Sequence, residues 1–278
     1  MKRSLFLAAT ILVITLMQVS ALTAKKMTIL VYPFSNTGEK QYSWVSAGMT
    51  DTVISDLCRI ENVNVVSEED RKKSLNEIEL AQKGLIGEKG TIKVGRMMGA
   101  DIIFTGTYVV IGNRIRVFAK LIDVESGRVE QSLKIDGTMD RIFEFQDRIV
   151  YGLMAETEKI RIADINPVKI TTEDKKRIDS AFRPDTEAFM FYSRGLELKD
   201  ADPKEALEYF KKALLIQGDY VEALIEAGIT AGRELNRFQD AFGFLNRAAK
   251  IFARRGDTSS KHYAALMHRT GSVYLSKG

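Results

Sequence analysis

The sequence predicts a mixed α/β domain over residues 27–160, a polar linker at 161–184 and an all-α repeat array over 185–278. Three observations carry this reading. Short β-branched and aromatic runs alternate with helical stripes in the first half. Three further β runs then sit between hairpin-type turns. Beyond Asp185 the apolar spacing is helical throughout and repeats itself.

The run MTILVYPF, 27–34, is rich in β-branched and aromatic residues and gives way to the polar loop SNTGEKQYS, which predicts a buried first strand. Met49, Val53, Leu57 and Ile60 recur at helical spacing from Trp44 onward, and the β-type run Val63 to Val66 follows. Ser67 with Asp70 fits a helix start; Leu75, Ile78 and Glu79 continue that helix until Gly84, Gly87 and Gly90 interrupt it. Between Asp101 and Asp136, the segments IIFTGTYVV, RIRVFAKLIDV and RVEQSLKID are divided by Gly112-Asn113 and by Glu125-Ser126-Gly127. This predicts three antiparallel strands. Behind Thr138, a stripe of Met139, Ile142, Phe143, Phe145, Ile149 and Leu153 suits a helix covering a sheet face. Residues 161–184 are mostly charged and polar and contain Pro167 and Pro184, as expected of a linker with one short helix between two separately folding modules.

In the last part, Gly195, Gly228 and Gly271 each follow a helical approach, and ALEYFKKA at 206–213 is echoed by AFGFLNRA at 241–248. The spacings, 33 and 43 between glycines and 35 between the leading alanines, bracket the period of about 34 residues of one helix-hairpin repeat. Small residues let paired helices approach closely, while Phe210 and Leu245 fill the space between them.

The chain begins with Met1, Lys2 and Arg3, an uncharged apolar run from Leu5 to Met17, and the small residues of Val19-Ser20-Ala21. Residues 1–21 therefore read as a secretory signal peptide. The apolar run is shorter than the roughly 20 residues of a membrane-spanning helix. No Cys follows it to carry a lipid. The only cysteine, Cys58, cannot form an internal disulfide and reads as a buried, inert thiol beside Ile54 and Leu57. Without Lys2 and Arg3 the chain holds 39 basic against 37 acidic side chains, too balanced for a nucleic-acid partner.

Motifs of catalysis and metal binding are missing. KGLIGEKGT lacks the Gly-Lys-Ser/Thr of a phosphate cradle and follows no strand, so it reads as a loop. His262 and His268 stand six apart without Cys or nearby acidic companions, which gives no metal-ligand pattern. Glu68, Glu69 and Asp70 read as the acidic first turn of a helix, and Asp200, Asp202 and Glu205 as a repeat turn. The expectation is a protein that is not an enzyme, with no catalytic residues, cofactor or metal.

Residues 185–278 resemble the tetratricopeptide repeat family, through EAFMFYSRG and EALEYFKKALLIQGDYVEA. Gly218 departs from the family's usual Pro, and RRGDTSSKHYAA lengthens the second unit. About two and a half repeats are implied. Residues 27–160 resemble the fold shared by the curli-secretion channel (CsgG) family, the flagellar outer-membrane FlgO proteins and the amino-terminal domain of TolB. ILVYPF, EEDRKKSLNEIELAQKGL, GRMMGADIIFTGTYVV and AKLIDVESGRVEQS, in that order, carry this resemblance. The fold class implied is thus a TolB-N/CsgG-like α/β domain followed by a tetratricopeptide solenoid. A membrane barrel would need further strands of about 9–11 residues, and the three β segments are already used by the domain.

These resemblances imply a periplasmic or outer-membrane-associated scaffold that binds envelope proteins, or alternatively a component of outer-membrane secretion or envelope assembly. Peripheral membrane association and oligomerisation are compatible with either. In tetratricopeptide arrays the first helix of each unit lines the concave groove. Counting from Gly195 and Gly228 places Phe189, Tyr192, Lys199, Ile225, Ile229 and Arg233 there, with the two aromatics as anchors. Intact-mass analysis of protein from envelope fractions is expected to show a chain starting near Leu22 or Lys25 with no acyl mass; a retained Met1 or an added lipid contradicts the reading.

Overall fold

The computed structural model describes residues 25–67, 70, 88–157, 168–258 and 260–277. The signal-like segment 1–21 and the helix expected across Leu75, Ile78 and Glu79 lie outside the described residues.

The first half is built on a six-stranded sheet. Strand β1 (Met27–Val31) lies between β3 (Val63–Val65) and β4 (Ile102–Ile111), parallel to both. The short β2 (Ser35–Asn36) also pairs with β4. Strands β4, β5 (Arg114–Asp123) and β6 (Val129–Thr138) form the expected antiparallel meander, with Ile111 opposite Arg114. That register leaves a two-residue turn in which Gly112 takes a left-handed φ of 58°, the conformation that a tight hairpin requires.

β1 is buried on both faces, as a central parallel strand must be. Met27, Ile29 and Val31 face one core under helices α1 (Trp44–Leu57) and α3 (Ile142–Thr157). Leu30 faces a second core with Val94, Ile103 and Ile122, under α2 (Glu88–Met97). The strand ends at Val31 rather than Phe34, because Pro33 has no N–H to extend the ladder. Phe34 is buried nonetheless, edge-on to Phe104 with ring centroids 5.3 Å apart. Helix α2 was not expected. Gly90, read as an interrupting residue, lies inside it, and burial of Val94 against the sheet outweighs the modest helical cost of one glycine.

The second half is helical: α5 (Thr186–Leu198), α6 (Pro203–Ile216), α7 (Val221–Ile229), α8 (Phe238–Arg254) and α9 (Lys261–Lys277), with α7 continued by a π turn at Thr230–Glu234. Asp185 caps α5 by accepting from the Glu187 and Ala188 N–H groups. Asp202 caps α6, and Pro203 occupies the first turn. Close helix approach is set by glycine. A Cβ on Gly195 would lie 2.4 Å from the Phe210 ring, and one on Gly228 would lie 2.7 Å from Leu245 Cγ. Gly271 has no such neighbour within 4 Å.

The polar segment read as a linker is packed where it is described, at 168–184. Its short helix α4 (Thr172–Asp179) is fixed by a reciprocal capping box between Thr171 and Asp174. Asp174 also accepts from the Glu61 N–H at 3.1 Å, and Arg177 Nε donates to the Arg59 carbonyl at 2.9 Å. Arg183 then reaches back to buried Asp56, with contacts of 3.1 and 3.4 Å, and pairs with Asp147 of α3. These contacts lay α5 along α1. Phe189 enters the same core as the sheet, edge-on to Phe143 at 4.9 Å and to Trp44 at 6.4 Å. One continuous core therefore runs from the sheet into the helical array.

The α1–α5 contact is closest at Gly48, where a Cβ would lie 1.9 Å from Ser193 Oγ and 2.8 Å from both Ser193 Cβ and the Phe189 ring. Rotating the hydroxyl relieves only the first clash. Gly48→Ala is expected to destabilise the protein by about 1–3 kcal/mol, read as a lower urea midpoint. An unchanged midpoint would show that the two helices separate freely.

Candidate functional site

A cavity of about 600 Å³ opens between the two halves of the chain. One wall is α1, through Asp51, Ile54, Ser55 and Cys58, continued by Val65 and Val66 after the end of β3. The opposite wall is α7 and its π turn. Val221, Ile225, Ile229 and Arg233 recur every fourth residue, so they form one row along that helix. The middle of α5 contributes Tyr192 and its C-cap Lys199, and α9 contributes His262, His268 and Arg269.

Five of the six residues expected in a groove, namely Tyr192, Lys199, Ile225, Ile229 and Arg233, line this cavity together. Phe189 does not. It is 1% exposed and belongs to the core against Trp44 and Phe143, because α1 covers the face of α5 that an isolated repeat would leave open. Tyr192 is likewise no exposed anchor at 2% exposure; its ring packs against Phe210 and Tyr220 and only part of it borders the cavity. Arg233 is exposed at the rim. Cys58 is half-buried on the cavity wall rather than sealed in a core.

The acids of the cavity, Asp51, Glu222 and Glu226, are residues that the sequence reading passed over. The Tyr192 hydroxyl donates to Asp51 Oδ2 at 2.8 Å. Burial, and next the nearby Glu226 carboxylate, push the Asp51 carboxyl up to about 6, against the Tyr192 hydrogen bond and the Lys199 charge. Glu226, itself buried, accepts from Lys199 Nζ at 3.3 Å and pairs with Arg269 of α9. Glu222 carries a buried Oε2 with no hydrogen-bond partner, and its carboxyl is raised by burial. Ser55 Oγ and His262 Nε2 lie 3.2 Å apart across the gap between α1 and α9. The sequence did hold a signal for this set. Asp51 is an acid within a helix whose apolar residues are not confined to one face, and Glu222 and Glu226 flank the apolar row of α7.

No protein-family model matches the chain. Over 165 residues, 59% of this chain, it is 27% identical to the Rhizobium meliloti (strain 1021) protein named "Putative adenylate cyclase 3"; the chain spans only 25% of that relative's length. Similar solved structures include the LpoB C-terminal domain from Salmonella enterica, at 18% identity over 45% of this chain and 90% of that one, with a TM-score of 0.33. TolB from Acinetobacter baumannii gives 14% identity over 49% and 29% of the two chains, with a TM-score of 0.35. Lipoprotein GNA1162 from Neisseria meningitidis gives 18% over 46% and 96%, with a TM-score of 0.32. The curated relative, named as a cyclase, overturns the expectation that the chain is not an enzyme. That expectation rested on missing local motifs, and catalytic groups that meet only in three dimensions leave no such motif.

Asp51 gives the cavity a pH signature. Between the ordinary carboxylate range and about 6, the folded protein holds a proton on Asp51 that the unfolded chain has released. This contribution therefore makes stability fall as pH rises through that window and level off above it. Asp51→Asn keeps an acceptor for Tyr192 without the charge. Its melting temperature is expected to exceed the parent's by roughly 2–4 °C at pH 7.5, with the gap closing as the pH is lowered to 4.5. Equal gaps at both pH values would refute a raised Asp51.

Proposed function

We propose that this chain is an exported protein of the cell envelope that binds another protein through the groove of a tetratricopeptide-type helical array. One observation carries the reading: Tyr192, Lys199, Ile225, Ile229 and Arg233, chosen by repeat register alone, border a single cavity. The signal-like residues 1–21 support export. Among the described residues no helix is long and apolar enough to cross a membrane. Peripheral outer-membrane association and a part in secretion or assembly, which the first-domain resemblance implies, fit the same reading.

The groove differs from that of a free-standing array in having α1 as a second wall. A partner segment would enter from the Arg233 rim and lie against Ile225 and Ile229, with the buried carboxylates deeper in. A second reading rests on the curated relative: a fold shared with a protein named as a cyclase contributes to nucleotide cyclisation. Incubating the full chain with ATP and a divalent cation and assaying for cyclic AMP decides this; formation above a heat-inactivated control supports it, and none removes it.

For the groove, a photo-crosslinking residue placed at Ile229 is expected to capture a defined envelope protein in cells. Arg233→Glu should lower the yield about fivefold or more at a nearly unchanged melting temperature, since Arg233 is exposed. Equal yields from both chains would remove the groove reading.

A further inference from the structure

The cavity is not electrostatically neutral in its depth. Of the three carboxylates Asp51, Glu222 and Glu226, Glu226 is the one ion-paired among the described residues, to Lys199 and Arg269, while Glu222 feels Arg59, Arg255 and Arg183 as nearby charges without a hydrogen bond to its buried oxygen. Asp51 is held by a neutral hydroxyl. Glu222 has a buried oxygen to which nothing donates. Asp51 and Glu222 act on each other as like charges from facing walls, one on α1 and one in the first turn of α7. A buried carboxylate oxygen without a donor is costly to leave unmatched, and perturbed, unsatisfied groups of this kind cluster at binding sites. The surroundings of the acids are apolar, through Ile54, Val221 and Ile225.

From this juxtaposition the geometry points to a cation-binding subsite, in which Asp51 and Glu222 receive the guanidinium or ammonium group of an arginine or lysine side chain presented by the partner polypeptide. An organic cation on an alkyl stem matches both features, since its stem lies on the apolar wall while its head group donates to the two carboxylates. Arginine suits the pair especially well, because its planar fork can donate to two acceptors at once. The cavity volume, about 600 Å³, accommodates such a side chain with its flanking backbone.

This inference rests on the groove reading and adds the chemistry of the partner. Isothermal titration of the full chain compares two synthetic peptides, acetyl-Ala-Leu-Arg-Leu-Ala-amide and the same peptide with citrulline for arginine, alongside butylguanidinium and pentanoate. The arginine peptide is expected to bind about tenfold or more tightly than the citrulline peptide, and butylguanidinium more tightly than pentanoate. Glu222→Gln and Asp51→Asn should each remove about tenfold of the arginine peptide's affinity without lowering the melting temperature. Equal binding of the arginine and citrulline peptides, or unchanged affinity in both variants, overturns the subsite. Butylguanidinium binding as tightly as the arginine peptide overturns the polypeptide as its source in favour of a small free amine. The Ile229 crosslink, scored on the same variants, separates the two ideas: capture that persists while arginine and citrulline bind equally sinks the cation subsite and leaves the groove standing.

Discussion

Helix α1 is packed from two sides, and the rest of the molecule is arranged around that fact. One face lies on the sheet through Val45, Met49 and Val53, while Gly48 brings α5 against the other. A helix packed on two sides has little solvated surface on which to place charges, and its buried set includes Trp44, Thr50 and Asp56 as well as aliphatic residues. Its acids are consequently forced into partnerships. Asp56 is claimed by Arg183 from the segment before α5, and Asp51 by the Tyr192 hydroxyl from α5 itself. The glycine contact and these two polar contacts all join α1 to the region that leads into the helical array.

The two polar contacts behave differently. Arg183 joins Asp56 to Asp147, so three charged groups from α1, α3 and the approach to α5 hold one another and fix the angle at which the array leaves the sheet. Such a set is worth more as a positional constraint than as net stability, since desolvation offsets much of its Coulomb energy. Asp51 has a neutral donor in Tyr192 and Lys199 only as a nearby charge, and burial raises its carboxyl as it raises those of Asp56 and Asp147. One end of the joint is thus ion-paired, while the other borders the cavity.

Much of the fold was legible from spacing. The three-stranded meander followed from its turn residues. The helical hairpins followed from glycines whose partners, Phe210 and Leu245, were named from the repeat. What escaped was long-range. Helix α2 hides in a glycine-bearing, weakly apolar stretch and is held by burial of Val94 rather than by propensity. The packing of the 168–184 segment depends on Asp174 and Arg183 finding Glu61 and Asp56 more than a hundred residues away, which no local pattern records. The cavity was half legible for the same reason. Counting along α5 and α7 named five residues that line it, but the wall supplied by α1 could not be counted. Phe189 was misplaced because α1 buries the surface it was assigned to. The low amphipathicity of the Trp44–Leu57 helix, with apolar residues on more than one face, was the available sign that a second partner covers it.

Because the cavity takes one wall from α1 and the other from α7 and α9, its contents are a thermodynamic component of the joint itself. An occupant that needs both walls would add its binding free energy to their association as RT ln(1 + [L]/Kd). By the same linkage, any strain that opens the joint must weaken the occupant's grip by an equal amount. An occupant touching both walls would thus stiffen the joint between the sheet and the helices, and opening that joint would loosen the occupant.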